Sequence, residues 1–495
     1  MSHPVHGVSL DGLQVLPVQA EAIRTRGLPG LTIVGLADAT VQESRERIRA
    51  ALTTSGYPPT RGRLVVNLAP SGERKRGSAM DLAIALALLA VDRPLPDENP
   101  PPLAVGELGL DGSLRAVPGI LAFARQALQT GSRLILPESQ ASQVEAIEGL
   151  VYAPAADLRT ADAALRQPEC SRTGRGRPAR SPTDVSFLLD LVKGHGLVKK
   201  ALGVMVAGGH HMLMSGPPGI GKTMLGRAVA DLLPPLSPEE RLELTLVAQW
   251  AGMLGDREEL LQERPFRAPH PTISPAGLLG GGNPGRPGEV TLAHQGILFM
   301  DDLDEIPRTS LDLLREPMDT GSLTWHRHGR PLRLPAAFTL LLAGNPCPCG
   351  HWGQENGRCH CLAHHRSPLA RRLSRPVRDR LDLQILTAPT ADLENRGDIE
   401  ARKLREQILE ARARQEYRAR TKGGPHLNGR LEAPELEELV HEVLPGPEAR
   451  ARALTGIRRV ALTLAQMEGF DRPKEDHLAQ SLLLRQEAWP EAVLS

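Results

Sequence analysis

The stretch HHMLMSGPPGIGKTMLGRAVADLL sets an apolar run, a glycine-rich octet and an amphipathic run in immediate succession. No other part of the chain restricts its fold so strongly. The octet has the spacing G-x-x-x-x-G-K-T and covers Gly216, Pro217, Pro218, Gly219, Ile220, Gly221, Lys222 and Thr223. A buried strand that turns through glycines into a helix aims successive backbone N–H groups at one point, and that point suits phosphate. Lys222 can neutralise β- and γ-phosphate charge, and the Thr223 hydroxyl can ligate Mg²⁺. A glycine-rich turn that holds nothing needs neither flank, so the context favours ATP and Mg²⁺ over a chance match.

Such a loop needs an acidic partner on a neighbouring strand. GILFMDDLDEIP supplies an apolar strand ending in Asp301, placed to hold Mg²⁺ through water. The next residue is Asp302, where a glutamate would orient the attacking water; its carboxylate is set back by one C–C bond, roughly 1.5 Å. General-base geometry is sensitive to that distance. Three outcomes stay open: Asp302 acts with slow turnover, Glu305 takes part, or ATP binds with little hydrolysis. The first is preferred. AFTLLLAGN reads as a third buried strand, and Asn345 at its end can touch the γ-phosphate or the lytic water. In isolation an Asn before Pro346 would read as the start of a turn.

Around these motifs the chain divides by pattern into an α/β protein. Residues 1–165 mix short apolar stretches, such as LTIVGL and RLVVNLA, with helical runs such as DATVQESRERIRAALTTSG and MDLAIALALLAV. Residues 166–184, RQPECSRTGRGRPARSPTD, are rich in Pro, Gly, Ser and Arg, have no apolar period and read as an exposed basic linker. From 185 to 390 strands alternate with helices, as in a parallel sheet with crossover helices. Residues 391–495 are helical and read as a lid.

The net charge of +1 gives no global sign of nucleic-acid binding, so any such surface is local. No run reaches the about 18 apolar residues that would span a bilayer. The opening MSHPVHGVSLDG lacks a charged region followed by an apolar one, so a cytoplasmic protein without a membrane partner is expected. Five cysteines, four of them between Cys347 and Cys361, do not make a disulfide framework. Cys347, Cys349, Cys359 and Cys361 form two C-x-C pairs that can fold back into a tetrahedral S₄ site for structural Zn²⁺. Reduced thiols without metal are the alternative, and His351, His360, His364 and His365 are nearby substitute ligands. GSLTWHRHGRPLRLP reads as a β-hairpin with His326, Arg327, His328 and Arg330 at or near its tip, and HHRSPLARRLSRPVRDR adds an arginine run.

Several long stretches resemble the magnesium-chelatase-like AAA+ proteins of the ComM (YifB) type. They include VVNLAPSGERKRGSAMDLAIALALLA, VGELGLDGSLRAVPGIL, RPFRAPHPTISPAGLLGGGNPGRPGEVTLAHQGILFMDDLDEIP and LREPMDTGSLTWHRHGRPLRLPAAFTLLLAGNPCPCG, and the resemblance covers nearly the full chain. It implies a P-loop AAA+ core and a homo-hexameric ring ATPase acting on DNA: a branch-migration helicase that extends heteroduplex during recombination and natural transformation. Single-stranded or branched DNA would be held without regard to sequence, with the hairpin cations Arg327, His328 and Arg330 tracking phosphates in the ring channel. Trp325 could stack on a base or pack at the hairpin base. Lys222 and Thr223 look like the phosphate and Mg²⁺ groups, Asp301 like the Walker-B aspartate and Asn345 like sensor 1. Arg380 in RDRLDL looks like the arginine finger that reaches a neighbouring subunit's γ-phosphate. Arg452 is the first choice for the sensor-2 arginine, with Arg458 as its substitute.

This chain departs from that family's pattern at Asp302, where relatives carry Glu, and at Pro271, where a second His is usual. The N-terminal segment resembles the Lon-type (S5-like) protease domain, but Ala79 and Leu121 stand where its Ser and Lys would be, so it is not expected to be a protease. Two other functions remain. A magnesium-chelatase ATPase subunit would share the P-loop module without needing the N-terminal domain, and an ATP-gated scaffold would hydrolyse little.

Overall fold

The computed structural model describes residues 4–485, apart from 36–38, 58–61, 73–74, 76, 177–186, 255–259, 283–284, 328–329, 348, 350–358, 363–371, 388–398 and 432–450. Two compact units share the chain: residues 1–180 with 236–262, and residues 181–235 with 263–495.

The first unit is built on strands β1 (Val5–Asp11), β2 (Gln14–Thr25), β3 (Gly30–Val34), β4 (Arg63–Ala69), β5 (Leu103–Ala104), β6 (Leu134–Pro137), β7 (Val151–Ala155) and β8 (Arg172–Thr173). They form one mixed sheet in the order β8-β7-β6-β5-β1-β2-β4-β3. Helix Asp81–Ala90 is buried on nearly every face, which explains its run of Ala and Leu without polar interruption.

Two expectations need correction here. Residues 167–176 are not all linker, because Arg172 and Thr173 pair antiparallel with Tyr152 and Val151 and extend the sheet by one edge strand. Both residues are exposed, so an apolar period could not reveal them. Residues 236–262, read as part of the 185–390 segment, pack in the first unit. Helix Pro238–Trp250 is started by a capping box between Ser237 and Glu240. It buries Leu242 and Leu246 in a cluster with Phe123 and Leu121, and Arg125 donates to Glu243 at 2.9 Å.

The second unit holds β9 (Met212–Ser215), β10 (Phe266–Arg267), β11 (Ile297–Met300), β12 (Ser322–Arg327), β13 (Arg330–Pro335), β14 (Thr339–Gly344) and β15 (Leu383–Leu386). Five of them make a sheet in the order β10-β11-β14-β9-β15 in which every neighbouring pair is parallel. Strands β9 and β11 are buried throughout, as a parallel sheet covered on both faces requires. β12 and β13 form a separate antiparallel hairpin. Helices Gly196–Gly208, Ala401–Lys422 and Ala451–Met467 cover the sheet, with Leu404, Ile408, Val460 and Leu464 in one core with Met212, Phe299 and Leu341. The helices expected as a lid therefore belong to the same compact unit as the sheet. Among the described residues no helix is long and apolar enough to cross a membrane.

His211, just before β9, accepts a hydrogen bond at Nδ1 from the Leu340 backbone N–H at 3.0 Å. Protein surrounds the ring although an edge of the residue stays accessible, and desolvation pulls its pKa down to about 4. Protonation would also take the lone pair that Leu340 uses. The folded state thus binds fewer protons than the unfolded one between about 4 and 6.5, and stability falls as pH drops through that window. His211→Asn is expected to flatten this dependence, which amounts to at most roughly 3 kcal/mol, in denaturant titrations at pH 7 and 4.5.

Candidate active site

Register brings the three strand ends together. Met300 of β11 pairs with Leu342 of β14, and Gly344 of β14 pairs with Ser215 of β9. Asp301, Asn345 and the glycine-rich loop therefore leave the sheet along one edge. Gly221 adopts φ +86°, a left-handed turn that a side chain would strain, and helix Lys222–Ala228 starts directly after it.

Lys222 is buried. Its Nζ donates to the Gly216 carbonyl at 2.9 Å, the Pro217 carbonyl at 2.8 Å and Asn345 Oδ1 at 2.9 Å. Three N–H groups thus meet three neutral acceptors. Desolvation depresses the ammonium pKa, and the charges of Asp301, Asp302 and Asp304 only partly offset it. A buried cation short of direct anionic partners fits a phosphate oxygen, which would replace one of the neutral acceptors. Thr223 Oγ1 donates to Asp301 Oδ2 at 2.6 Å, so the two expected Mg²⁺ groups already converge.

Asp302 lies beside this group, exposed, with φ +49°. Its backbone N–H donates to Asp301 Oδ1 at 3.0 Å, and its carbonyl accepts from the Glu305 N–H at 2.8 Å. Burial of part of its carboxyl raises its pKa, and Asp301, Asp304 and Glu305 raise it further against the opposing charge of Lys222. A carboxylate made more basic in this way suits proton abstraction from water.

Arg380 stands apart from the phosphate loop's own bonds. Its Nε donates to Asp319 Oδ1 at 2.6 Å, its Nη2 to Asp319 Oδ2, and its Nη1 to the Pro376 carbonyl. No spacing in the sequence marks Asp319 as its partner, because 61 residues separate them. Two residues on, the buried Asp382 lies 2.8 Å from His210 Nδ1. Burial alone would raise the Asp382 pKa, but the bond from His210 and the charges of Arg459 and Arg485 hold it below the usual carboxylate range. Arg452 lies in helix Ala451–Met467, but its side chain is outside the described residues; Arg458 on the same helix is buried.

The four sulfurs of Cys347, Cys349, Cys359 and Cys361 all lie within 4.8 Å of one another. Cys347 is 3.3 Å from Cys349 and 3.8 Å from Cys359, sulfur to sulfur. A zinc tetrahedron with Zn–S near 2.3 Å has sulfurs roughly 3.8 Å apart, so these thiols fit that ion. At the hairpin, Arg327 and Arg330 face each other as the last strand pair. His328 and their side chains lie outside the described residues, and His326 is exposed. The Trp325 ring, opposite Leu332 in the middle of the hairpin, packs against Gly285, where a Cβ would come within 2.2 Å of it. In the first unit Ala79 and Leu121 are both buried in one apolar cluster, and the neighbouring Ser78 hydroxyl donates to the Glu107 carboxylate.

Three family models match the chain in succession: "Subunit ChlI of Mg-chelatase" over residues 20–140, "Magnesium chelatase, subunit ChlI" over 188–394, and "Magnesium chelatase, subunit ChlI C-terminal" over 398–485. The first of these covers most of the N-terminal segment, so that segment does not set the chain apart from a chelatase subunit. The uncharacterized protein YifB of Salmonella typhimurium is 36% identical over 97% of this chain and 96% of its own length. Competence protein ComM of Haemophilus influenzae is 32% identical over 95% of each. The magnesium-chelatase 38 kDa subunit of Rhodobacter capsulatus is 27% identical over only 27% of this chain and 43% of that protein. Full-length agreement with YifB and ComM, on a P-loop AAA+ fold with these three strand-end residues, makes the chain a member of the magnesium-chelatase-like ComM/YifB family.

Proposed function

We propose that the chain is a ring-forming DNA motor, a branch-migration helicase that uses ATP to move single-stranded or branched DNA during recombination and the uptake of transforming DNA. Family membership implies the ATPase, with ATP and Mg²⁺; the work on DNA is the added step. The observation that carries it is the hairpin β12–β13, which interrupts the chain between the Asp301 strand and the Asn345 strand and ends in a facing pair of arginines. Cations on such a hairpin can track phosphates without reading bases. The name of the Haemophilus relative, a competence protein, agrees with a role in DNA uptake.

In this reading Lys222 and the loop amides would bind the β- and γ-phosphates, and Thr223 and Asp301 would hold Mg²⁺, which would supply neutralisation of phosphate charge. Asn345 orients the attacking water and Asp302 accepts its proton. Arg380 from an adjacent copy of the chain completes the site, so hydrolysis depends on assembly. The four cysteines hold a structural Zn²⁺ that pins the segment following Asn345. The protein works in the cytoplasm, where cysteines stay reduced and available to such an ion. A chelatase subunit is the weaker reading, because similarity to the Rhodobacter subunit stops at 27% of the chain.

Lys222→Ala is expected to lower ATP turnover about 100-fold or more, whereas Asp302→Glu keeps or raises it. Loss of all turnover in Asp302→Glu would displace Asp302 from its role. Turnover measured with and without single-stranded DNA should rise several-fold with DNA. Arg327→Ala with Arg330→Ala should weaken DNA binding alike for different sequences and flatten its salt dependence. Unchanged turnover with DNA, together with no retention of the protein on DNA in the presence of ATP, would end the motor reading. Elemental analysis of dialysed protein should find one zinc per chain, lost in Cys349→Ser.

A further inference from the structure

We propose that Asp319 is a positioning residue for Arg380 and ties its guanidinium to the root of the hairpin β12–β13, so that displacement of the hairpin reaches the nucleotide of the adjacent copy. This rests on the reading of Arg380 as the residue that completes a neighbour's site.

The first support is a donor count. A guanidinium carries five N–H groups. Asp319 takes one from Nε and one from Nη2, and the Pro376 carbonyl takes one from Nη1. Two N–H groups, one each on Nη1 and Nη2, are left over for a phosphate. The grip on Arg380 therefore does not consume it. A two-point fork between carboxylate and guanidinium also fixes the plane of the arginine, which a single contact would not do. The Arg380 side chain is 12% exposed and Asp319 is 50% exposed, so the arginine is held in while its anchor sits at an open edge.

The second support is where the anchor is rooted. Asp319 lies on helix Arg315–Thr320, and Gly321 alone separates that helix from β12. The junction is stiff. Thr320 Oγ1 donates to the Ser322 carbonyl at 2.8 Å, and the Thr324 N–H donates to Glu316 Oε1 at 3.1 Å. Gly321 turns the chain at φ +66°, and the Arg430 guanidinium lies so close over it that a Cβ would stand 2.0 Å from Nη1. Helix and strand therefore move as one body. On the other side, Asp382 fastens the backbone two residues after Arg380 to His210. The arginine is thus held at its backbone by the sheet and at its head by the hairpin's helix. A shift of the hairpin then turns the side chain about a fixed base.

The test compares the full chain with its Asp319→Asn and Asp319→Glu variants in steady-state ATP hydrolysis, with and without single-stranded DNA, and measures DNA binding by fluorescence anisotropy. Misplacing a catalytic group by about 1 Å can cost up to about 100-fold. Asp319→Asn should accordingly lower kcat about tenfold or more, leave the KM for ATP within about twofold, and leave DNA affinity unchanged. The factor by which DNA raises turnover should fall toward unity, and Asp319→Glu should recover part of both losses. An Asn variant with the parent kcat and the parent response to DNA overturns the proposal. So does a variant pair in which kcat and KM deteriorate together and Glu is no better than Asn, since that marks a merely structural ion pair. If the parent chain itself ignores DNA, the motor reading fails, while kcat without DNA still decides whether Asp319 positions Arg380.

Discussion

The chemistry of this chain depends on three parallel strand ends lying side by side. In a parallel sheet, neighbouring strands run about 4.8 Å apart and end on the same edge. The glycine-rich loop, Asp301 and Asn345 each follow one of the adjacent strands β9, β11 and β14, so no long loop has to bring them together. The arrangement demands strands buried on both faces, and β9 and β11 are buried at every position. It also places an ammonium where water is scarce. Lys222 responds with a depressed pKa although three carboxylates stand near it, and this leaves the site poised for an anion.

A second constraint holds the edge strand β15 to the covering helices. His210 lies 2.8 Å from Asp382 on one side and 2.8 Å from Thr463 of helix Ala451–Met467 on the other. Asn428 extends the chain of contacts to Thr463 at 3.0 Å and to Gln466 at 2.8 Å. Buried polar groups of this kind cost stability unless each has a partner, so the network fixes one relative placement of strand and helices. Because Asp382 is two residues from Arg380, that placement also fixes the base of the arginine. The catalytic edge and the helical cover are therefore one mechanical object.

Much of this was legible in the sequence, for a physical reason. The glycine-rich loop, Asp301 and Asn345 each follow an apolar run, and the end of a buried strand is a local signal. The convergence of the four cysteines was also legible, since two close pairs joined by a short segment have few ways to lie apart. What escaped were pairings between distant residues with no periodicity. Asp319 and Arg380 are both surface-type residues in unrelated segments, and only the fold makes them a fork. The edge strand Arg172–Thr173 was hidden because both of its residues face solvent. The departure of residues 236–262 into the first unit was hidden for the opposite reason. Helix Pro238–Trp250 has an ordinary capped sequence of mixed apolar and charged residues, and nothing in that sequence names the unit it packs in.

Asp302 shows how a local backbone state and a chemical role bear on each other. At φ +49° the residue is in the left-handed region, which Asp enters more readily than longer side chains do because its short carboxylate can bond locally. The aspartate is therefore comfortable where a glutamate would be somewhat strained. Its shorter reach works against contact with water. Its raised pKa works in the other direction, since a more basic carboxylate abstracts a proton more readily. Part of that rise comes from Asp301, and Mg²⁺ beside Asp301 would cancel it. The burial of the carboxyl and the charges of Asp304 and Glu305 would remain. In the proposed mechanism base strength would be partly conserved while reach would not, so distance, rather than acidity, would limit Asp302 as a base.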